Sequence, residues 1–195
     1  VSKVSSVNSG APEVTLQPIE AVASIEPARA ILREYAASLS VDLAFQNFDA
    51  ELAALPGEYA APLGQLLLAW VDGGLAACGG FRALADCDYA NACEMKRLFV
   101  RPAFRRFGLG RMLAEALLIE ARRAGYSAML LDTLDEMESA RELYASLGFV
   151  EVAPYYFNPV AGAHYLTTRR RIGRNCGGRA GRRARCSDLN PPGGP

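Results

Sequence analysis

The chain predicts an α/β fold, a mixed sheet with helices on both faces, and three observations lead to it. Short apolar runs of strand length alternate with stretches of helical periodicity. The elements read β, α, α, β, β, β, α, β, α, β, β. Hydrophobic residues make up 51% of 195, enough for one sizeable core. Residues 14–19 alternate as a first strand. Glu26 and Pro27 read as the opening of a helix running to about residue 39, since Pro at the first helical position gives up only a donor that lacks a partner anyway. Asn47 reads as the cap of a shorter helix through Leu55. Gln65–Val71 and residues 75–81 are strands joined by Asp72, Gly73 and Gly74, a hairpin signal. Residues 95–100 form the next strand, which Pro102 ends because it cannot donate a ladder hydrogen bond. From Leu109, apolar residues recur at Leu113, Ala116, Leu117, Ala121 and Ala124, with Arg111, Glu115, Arg122 and Arg123 left to water: a long amphipathic helix. A strand over 127–134 follows. Ala140, Leu143 and Leu147 then mark a short helix that Gly148 closes in the left-handed conformation before a strand at Phe149. No internal repeat is visible.

The most informative stretch is 93–124, where strand, Pro stop, Arg/Gly loop and helix succeed one another. The first N–H groups of a helix lack intrahelical partners, and Gly108 and Gly110 have no Cβ to hold a ligand away from them. With the helix dipole this makes an anion site, and Arg105 and Arg106 add charge suited to a pyrophosphate. A dinucleotide loop would need G-x-G-x-x-G and a Walker loop G-x-x-x-x-G-K-[ST]. Neither is present; the text is R-x-x-G-x-G, Arg105 through Gly108 to Gly110.

This loop, after a strand ending at Val100, resembles the acyl-CoA loop of the GNAT acetyltransferase superfamily, and ARELYASLGF over 140–149 resembles its second block. The resemblance spans about residues 14–168. It implies a mixed, largely antiparallel sheet of about six to seven strands with about four helices. It also implies a cofactor gap between the strand ending at Val100 and the one starting near Ala128. The donor would be acetyl-CoA, with the backbone of Leu98, Phe99 and Val100 pairing with the pantetheine arm and Arg105, Arg106, Phe107, Gly108, Leu109 and Gly110 around the pyrophosphate. In this context Tyr144 would protonate the departing sulfur, which suits a phenol with an ordinary pKa of about 10. Phe107 and Met137 depart from the pattern; many members carry an Asn where Met137 stands.

An ammonium ion cannot attack a thioester, so the transfer calls for a base. Glu94 is the first candidate and Asp132 the second, each alternatively a salt-bridge partner of Lys96 or Arg97, and water remains a third route. Direct attack in a ternary complex is expected, because Cys78, Cys87 and Cys93 read as small buried hydrophobes rather than nucleophiles. Tyr155, Tyr156 and Asn158 are candidates to line the acceptor side. The acceptor would be a small-molecule amine or a peptide, weakly favoured to be cationic; a homodimer is left open. No metal is expected: His164 is the single histidine and reads as structural or, less favoured, as substrate-lining.

Charge divides the chain. Residues 1–168 carry 13 basic and 20 acidic side chains, while 169–195 carry eight Arg against Asp188, so a formally neutral protein has a net −7 body and a +7 tail. The expected organisation is a loose segment 1–12, an acetyltransferase domain 13–168 and a disordered Arg/Gly/Pro-rich tail 169–195, for which nucleic-acid binding is the less favoured reading. Five cysteines without CxxC spacing, no signal-peptide pattern and no apolar run of membrane length predict a reducing, cytoplasmic setting. A CoA-binding module without catalysis would need neither Tyr144 nor Glu94.

Overall fold

A computed structural model describes residues 12–168 apart from 21 and 86, with the side chain of Arg106 also outside the description. The expected segment 1–12, except Pro12, and the tail 169–195 lie outside the described residues. Seven strands form one sheet: β1 (Val14–Pro18), β2 (Gln65–Val71), β3 (Gly74–Leu84), β4 (Ala92–Val100), β5 (Ala128–Leu134), β6 (Phe149–Val152) and β7 (Ala163–Thr168), in the spatial order β1-β2-β3-β4-β5-β7-β6. Every pairing is antiparallel except β4 with β5. Among the described residues four α-helices accompany it: α1 (Val22–Ala37), α2 (Phe48–Ala54), α3 (Leu109–Arg123) and α4 (Glu138–Ser146).

The two sheet faces carry separate cores, as alternation along the strands requires. On one, Leu109, Leu113 and Leu117 of α3 and Tyr144 of α4 pack with Leu67, Phe81, Met95, Met129 and Leu131. On the other, Ala28, Ile31 and Leu32 of α1 and Phe48 and Leu52 of α2 cover Leu66, Leu68, Cys78 and Phe99.

The element order matches the sequence reading, and two local expectations are corrected. α1 begins at Val22, so Pro27 sits inside it rather than at its first position; burial of Ala28, Ile31 and Leu32 holds the helix across the missing donor. Asn47 does precede α2, but at φ 57°, and its side chain makes no capping bond; its backbone N–H closes the preceding turn on Ala44 instead. Between Pro102 and Phe107 the chain makes a 3₁₀ turn, and α3 starts at Leu109, where its apolar repeat was expected to begin. Gly148 adopts the expected left-handed conformation, φ 87°.

Candidate active site

β4 makes the site because it changes partner along its length. Its parallel pairing to β5 covers Ala92, Cys93 and Glu94 and stops there, while pairing to β3 continues to Val100. The two central strands therefore diverge, and the backbone beyond Glu94 loses its neighbour on that side. A cavity of about 70 Å³ occupies the gap, lined by Lys96, Arg97, Leu98, Asp132, Tyr144 and Tyr35 among others.

A bulge sharpens the divergence. β3 residues Cys78 and Gly80 oppose Phe99 and Lys96, so Arg97 and Leu98 share one facing residue, Gly79. A Cβ on Gly79 would come within 2.9 Å of Leu98 Cδ1 and 3.2 Å of Leu117 Cδ1, so those leucine side chains would have to move to admit one. Arg97 takes φ 61°, a conformation costing a non-glycine residue about 1–2 kcal/mol. Its side chain holds it there. The guanidinium donates to both carboxylate oxygens of Glu51, at 3.0 and 2.6 Å, and to Gln46 Oε1 at 3.0 Å, and lies 5.1 Å from the Phe48 ring centre.

At the far end of the gap, Gly108 turns the chain into α3 at φ 69°, and the first α-helical bond runs from Met112 N–H to Gly108 C=O. The N–H groups of Leu109, Gly110 and Arg111 thus have no partner inside the helix. The two glycines differ in surroundings. The direction a Gly108 Cβ would take is open, whereas one on Gly110 would meet Leu143 at 3.6 Å and Val100 at 3.8 Å. A Cβ on Gly110 would thus face the protein at ordinary contact distance, while one on Gly108 would face open space. Those contacts also place the helix start beside Val100 and beside the residue preceding Tyr144. Arg105 is exposed, with Nε donating to Val100 C=O at 3.3 Å, and Phe107 is exposed against Phe104.

Tyr144 is buried on α4, stacked at a tilt on Phe149, and lines the gap. Burial pushes its phenol well above the ordinary value, with the charges of Tyr35 and Asp132 acting the same way, so it stays protonated across the neutral range. Glu94 is 2% exposed and surrounded. Directly across the ladder, Arg82 donates to it through Nε and Nη2, both at 3.2 Å; Lys96 Nζ is 3.3 Å away and the Tyr155 hydroxyl donates at 2.8 Å. Asp132 receives Lys96 Nζ at 3.1 Å, the Tyr156 hydroxyl at 2.9 Å and Asn158 Nδ2 at 3.3 Å. Burial first, then the facing carboxylates, raise the Tyr155 and Tyr156 phenols, which keeps both as donors. Of the two cations expected to pair with these acids, Lys96 serves both and Arg97 neither.

Tyr155 and Tyr156, with Phe45, Phe157, Arg82, Glu58 and Glu94, enclose a second cavity of about 440 Å³. Gln46 and Lys96 line both cavities, which lie on either side of these side chains. His164 lines neither; its ring nitrogens bond Asp135 at 2.6 Å and Glu151 at 2.7 Å, a structural role as expected. The Cys78 and Cys93 thiols are buried, which pushes each up to about 12, and neither is a thiolate nucleophile. Among the described residues no cluster of His, Cys, Asp and Glu is arranged to hold a metal, and no helix is long and apolar enough to cross a membrane.

Sequence reasoning did not single out Arg82, Tyr35, Gln46 or the Arg97–Glu51 pair. These come together only through strand register and helix docking, which no local motif reports. Lys96 had a signal that was available: apart from Lys3 it is the only lysine beside 19 arginines.

A divergent pair of parallel strands, a helix start at one end of the gap, a buried tyrosine inside it and a second cavity beside it suit a group-transfer enzyme that binds an extended anionic donor. Comparison with known proteins identifies its kind. Residues 29–149 match the model of the acetyltransferase (GNAT) family, and the chain belongs to that family. An uncharacterized N-acetyltransferase of Schizosaccharomyces pombe is 35% identical over 153 residues, covering 78% of this chain and 93% of its own length. A solved acetyltransferase from Streptococcus agalactiae shares the fold at TM-score 0.64 and 19% identity, covering 80% of this chain and 97% of its own. Another, from Salmonella typhimurium and described with its cofactor acetyl-CoA, does so at TM-score 0.60 and 20% identity over 84% and 96%. The protein is an acetyl-CoA-dependent N-acetyltransferase acting on an amine acceptor.

Proposed function

We propose that acetyl-CoA lies in the gap between β4 and β5 and that an amine entering through the larger cavity attacks its thioester directly. The observation that carries this reading is the end of β4–β5 pairing at Glu94 together with Tyr144 lining the space it opens. The unpaired backbone of Leu98, Phe99 and Val100 accepts the pantetheine arm as an added strand would. The N–H groups around Gly108, Leu109 and Gly110 receive the pyrophosphate, with Arg105 and Arg106 as counter-charge and Phe107 at the rim. A β4 N–H at the bulge polarises the thioester carbonyl.

Glu94, on the acceptor wall, takes the proton of the arriving ammonium; Asp132, on the donor wall, is the alternative base. Tyr144 protonates the sulfur as the C–S bond breaks. The charged side chains lining the two cavities are Glu58, Glu94 and Asp132 against Arg82, Lys96 and Arg97; with Arg97 neutralised by its pair to Glu51, the others leave a surplus of one negative charge that favours a cationic primary amine, whether small molecule or peptide terminus. The Salmonella enzyme's acetyl-CoA complex supports the donor assignment.

The test is Tyr144→Phe, read by free-thiol release over a panel of amines. Turnover should fall about 10²-fold, the scale of a single general acid, with acetyl-CoA affinity little changed. Equal loss of both would remove Tyr144 from the acid role.

A further inference from the structure

Lys96 is a primary amine placed where the reaction requires one. It is 7% exposed, it lines the donor cavity together with Tyr144, and among the described residues it is one of two that line both cavities. Its Nζ stands 3.1 Å from Asp132 Oδ1 and 3.3 Å from Glu94 Oε1, within proton-transfer reach of both candidate bases, and 5.6 Å from the Tyr156 ring centre. The choice of lysine here is informative. Two carboxylates are better bridged by the forked, permanently charged guanidinium, and the chain uses arginine for its ion pairs to Glu34, Glu51, Glu58, Glu115 and Glu120. At this one place among the described residues it sets a lysine, the basic side chain that can lose a proton and act as a nucleophile.

We propose that Lys96 is itself an acetyl acceptor: with acetyl-CoA bound and no amine in the larger cavity, the enzyme acetylates its own Lys96. The inference rests on the reading of the gap as the acetyl-CoA site. Asp132 or Glu94 takes one proton from the ammonium, and the freed electron pair on Nζ attacks the thioester carbon. As the N–C bond forms, the C–S bond breaks and its electron pair leaves on sulfur, which Tyr144 protonates. A second proton leaves the nitrogen as the amide forms and reloads Tyr144 through the carboxylates. The products are acetyl-lysine, free CoA thiol and one released proton. The amide is a poor acyl donor, so the modified state is an end point and not an intermediate. It removes the positive charge that holds Glu94 and Asp132 together, and it puts an acetyl group at the junction an acceptor must reach. Self-acetylation would therefore switch the enzyme off when donor is abundant and acceptor absent.

The experiment incubates the full-length protein with acetyl-CoA alone and maps the modified residue by peptide mass spectrometry over time. Because Lys3 and Lys96 are the only lysines, localisation is unambiguous. The expected result is one acetyl group on Lys96, at a rate that saturates with acetyl-CoA, falls at least 10-fold in Tyr144→Phe and is suppressed by an acceptor amine that is turned over. Lys96→Arg should lose the modification; if that variant does not fold, the wild-type map still decides. No acetyl group on Lys96, or acetylation confined to Lys3 and the terminal amine, overturns the proposal. Absence of acetyl-CoA binding by isothermal titration overturns the donor-site reading instead, so the two failures are distinguishable.

Discussion

Replacing Glu51 by Gln tests whether the bulge in β4 is held from outside the strand. Arg97 and Glu51 side chains are 3% and 9% exposed and 2.6 Å apart, so the substitution leaves a guanidinium buried without its counter-charge. Removing one partner of such a pair costs about 3–5 kcal/mol; Gln keeps part of the hydrogen bonding, which places E51Q near the lower figure. For a domain of this size about 3 kcal/mol corresponds to a fall of roughly 6–12 °C in melting temperature, read by thermal unfolding. A second consequence is functional, because Arg97 at φ 61° returns toward an ordinary strand conformation once its anchor weakens. With the thioester placed as proposed, the bulge N–H then leaves it, and turnover at saturating acetyl-CoA should fall more than acetyl-CoA affinity does. The pH dependence follows the same pair. Burial raises the Glu51 carboxyl, but the hydrogen bond and charge of Arg97 outweigh it and the net direction is down. A depressed carboxyl contributes stability above its unfolded pKa, about 4.3, and loses it as pH falls through the folded value, so E51Q should also flatten the acid limb of the stability curve. Glu115→Gln is the control: its pair with Arg111 is half exposed on both sides and should matter by less than about 0.5 kcal/mol. If E51Q melts with the wild type, or if the two variants behave alike, the anchoring argument is wrong.

Gly108→Val should raise the acetyl-CoA dissociation constant at least 10-fold while leaving turnover at saturation closer to normal, because the new side chain enters the open space beside the α3 N–H groups and strains φ 69°; titration calorimetry checks it. The His164 imidazole is raised first by its hydrogen bond to Asp135 and then by Glu151. Its contribution is therefore complete below the unfolded pKa of about 6.5 and is lost as pH rises through the folded one, so denaturant midpoints of wild type and His164→Gln should converge on the alkaline side.

What the sequence revealed about the site was its local part. The Arg105–Gly110 loop, Gly148 and Tyr144 each carry a signal within a few residues, since helix starts, helix ends and turns are decided by short stretches of backbone, and all stand where expected. Pro27 and Asn47 misled for the same reason in reverse: each is a strong local marker overruled by packing that lies elsewhere in the chain. The environment of Glu94 was not legible at all. Arg82 reaches it through ladder register, Tyr155 through the loop between β6 and β7, and Lys96 through the i, i+2 alternation that puts both side chains on one face. The acid was found by its type and position, and its three partners only by the fold.

The order of chemical events follows from where the cavities adjoin. Transfer through an acyl-enzyme would need a nucleophile whose acyl derivative is reactive enough to pass the group on. The buried Cys78 and Cys93 thiols are pushed up to about 12, and an acetylated Lys96 would be a stable amide. The two cavities instead share Gln46 and Lys96 as a common wall, so donor and acceptor can be present together and the amine can meet the thioester without a carrier. Initial-rate measurements varying acetyl-CoA at several fixed amine concentrations should accordingly give intersecting double-reciprocal lines. Parallel lines, the signature of a covalent acyl-enzyme, would require a nucleophile outside this geometry and would overturn direct attack.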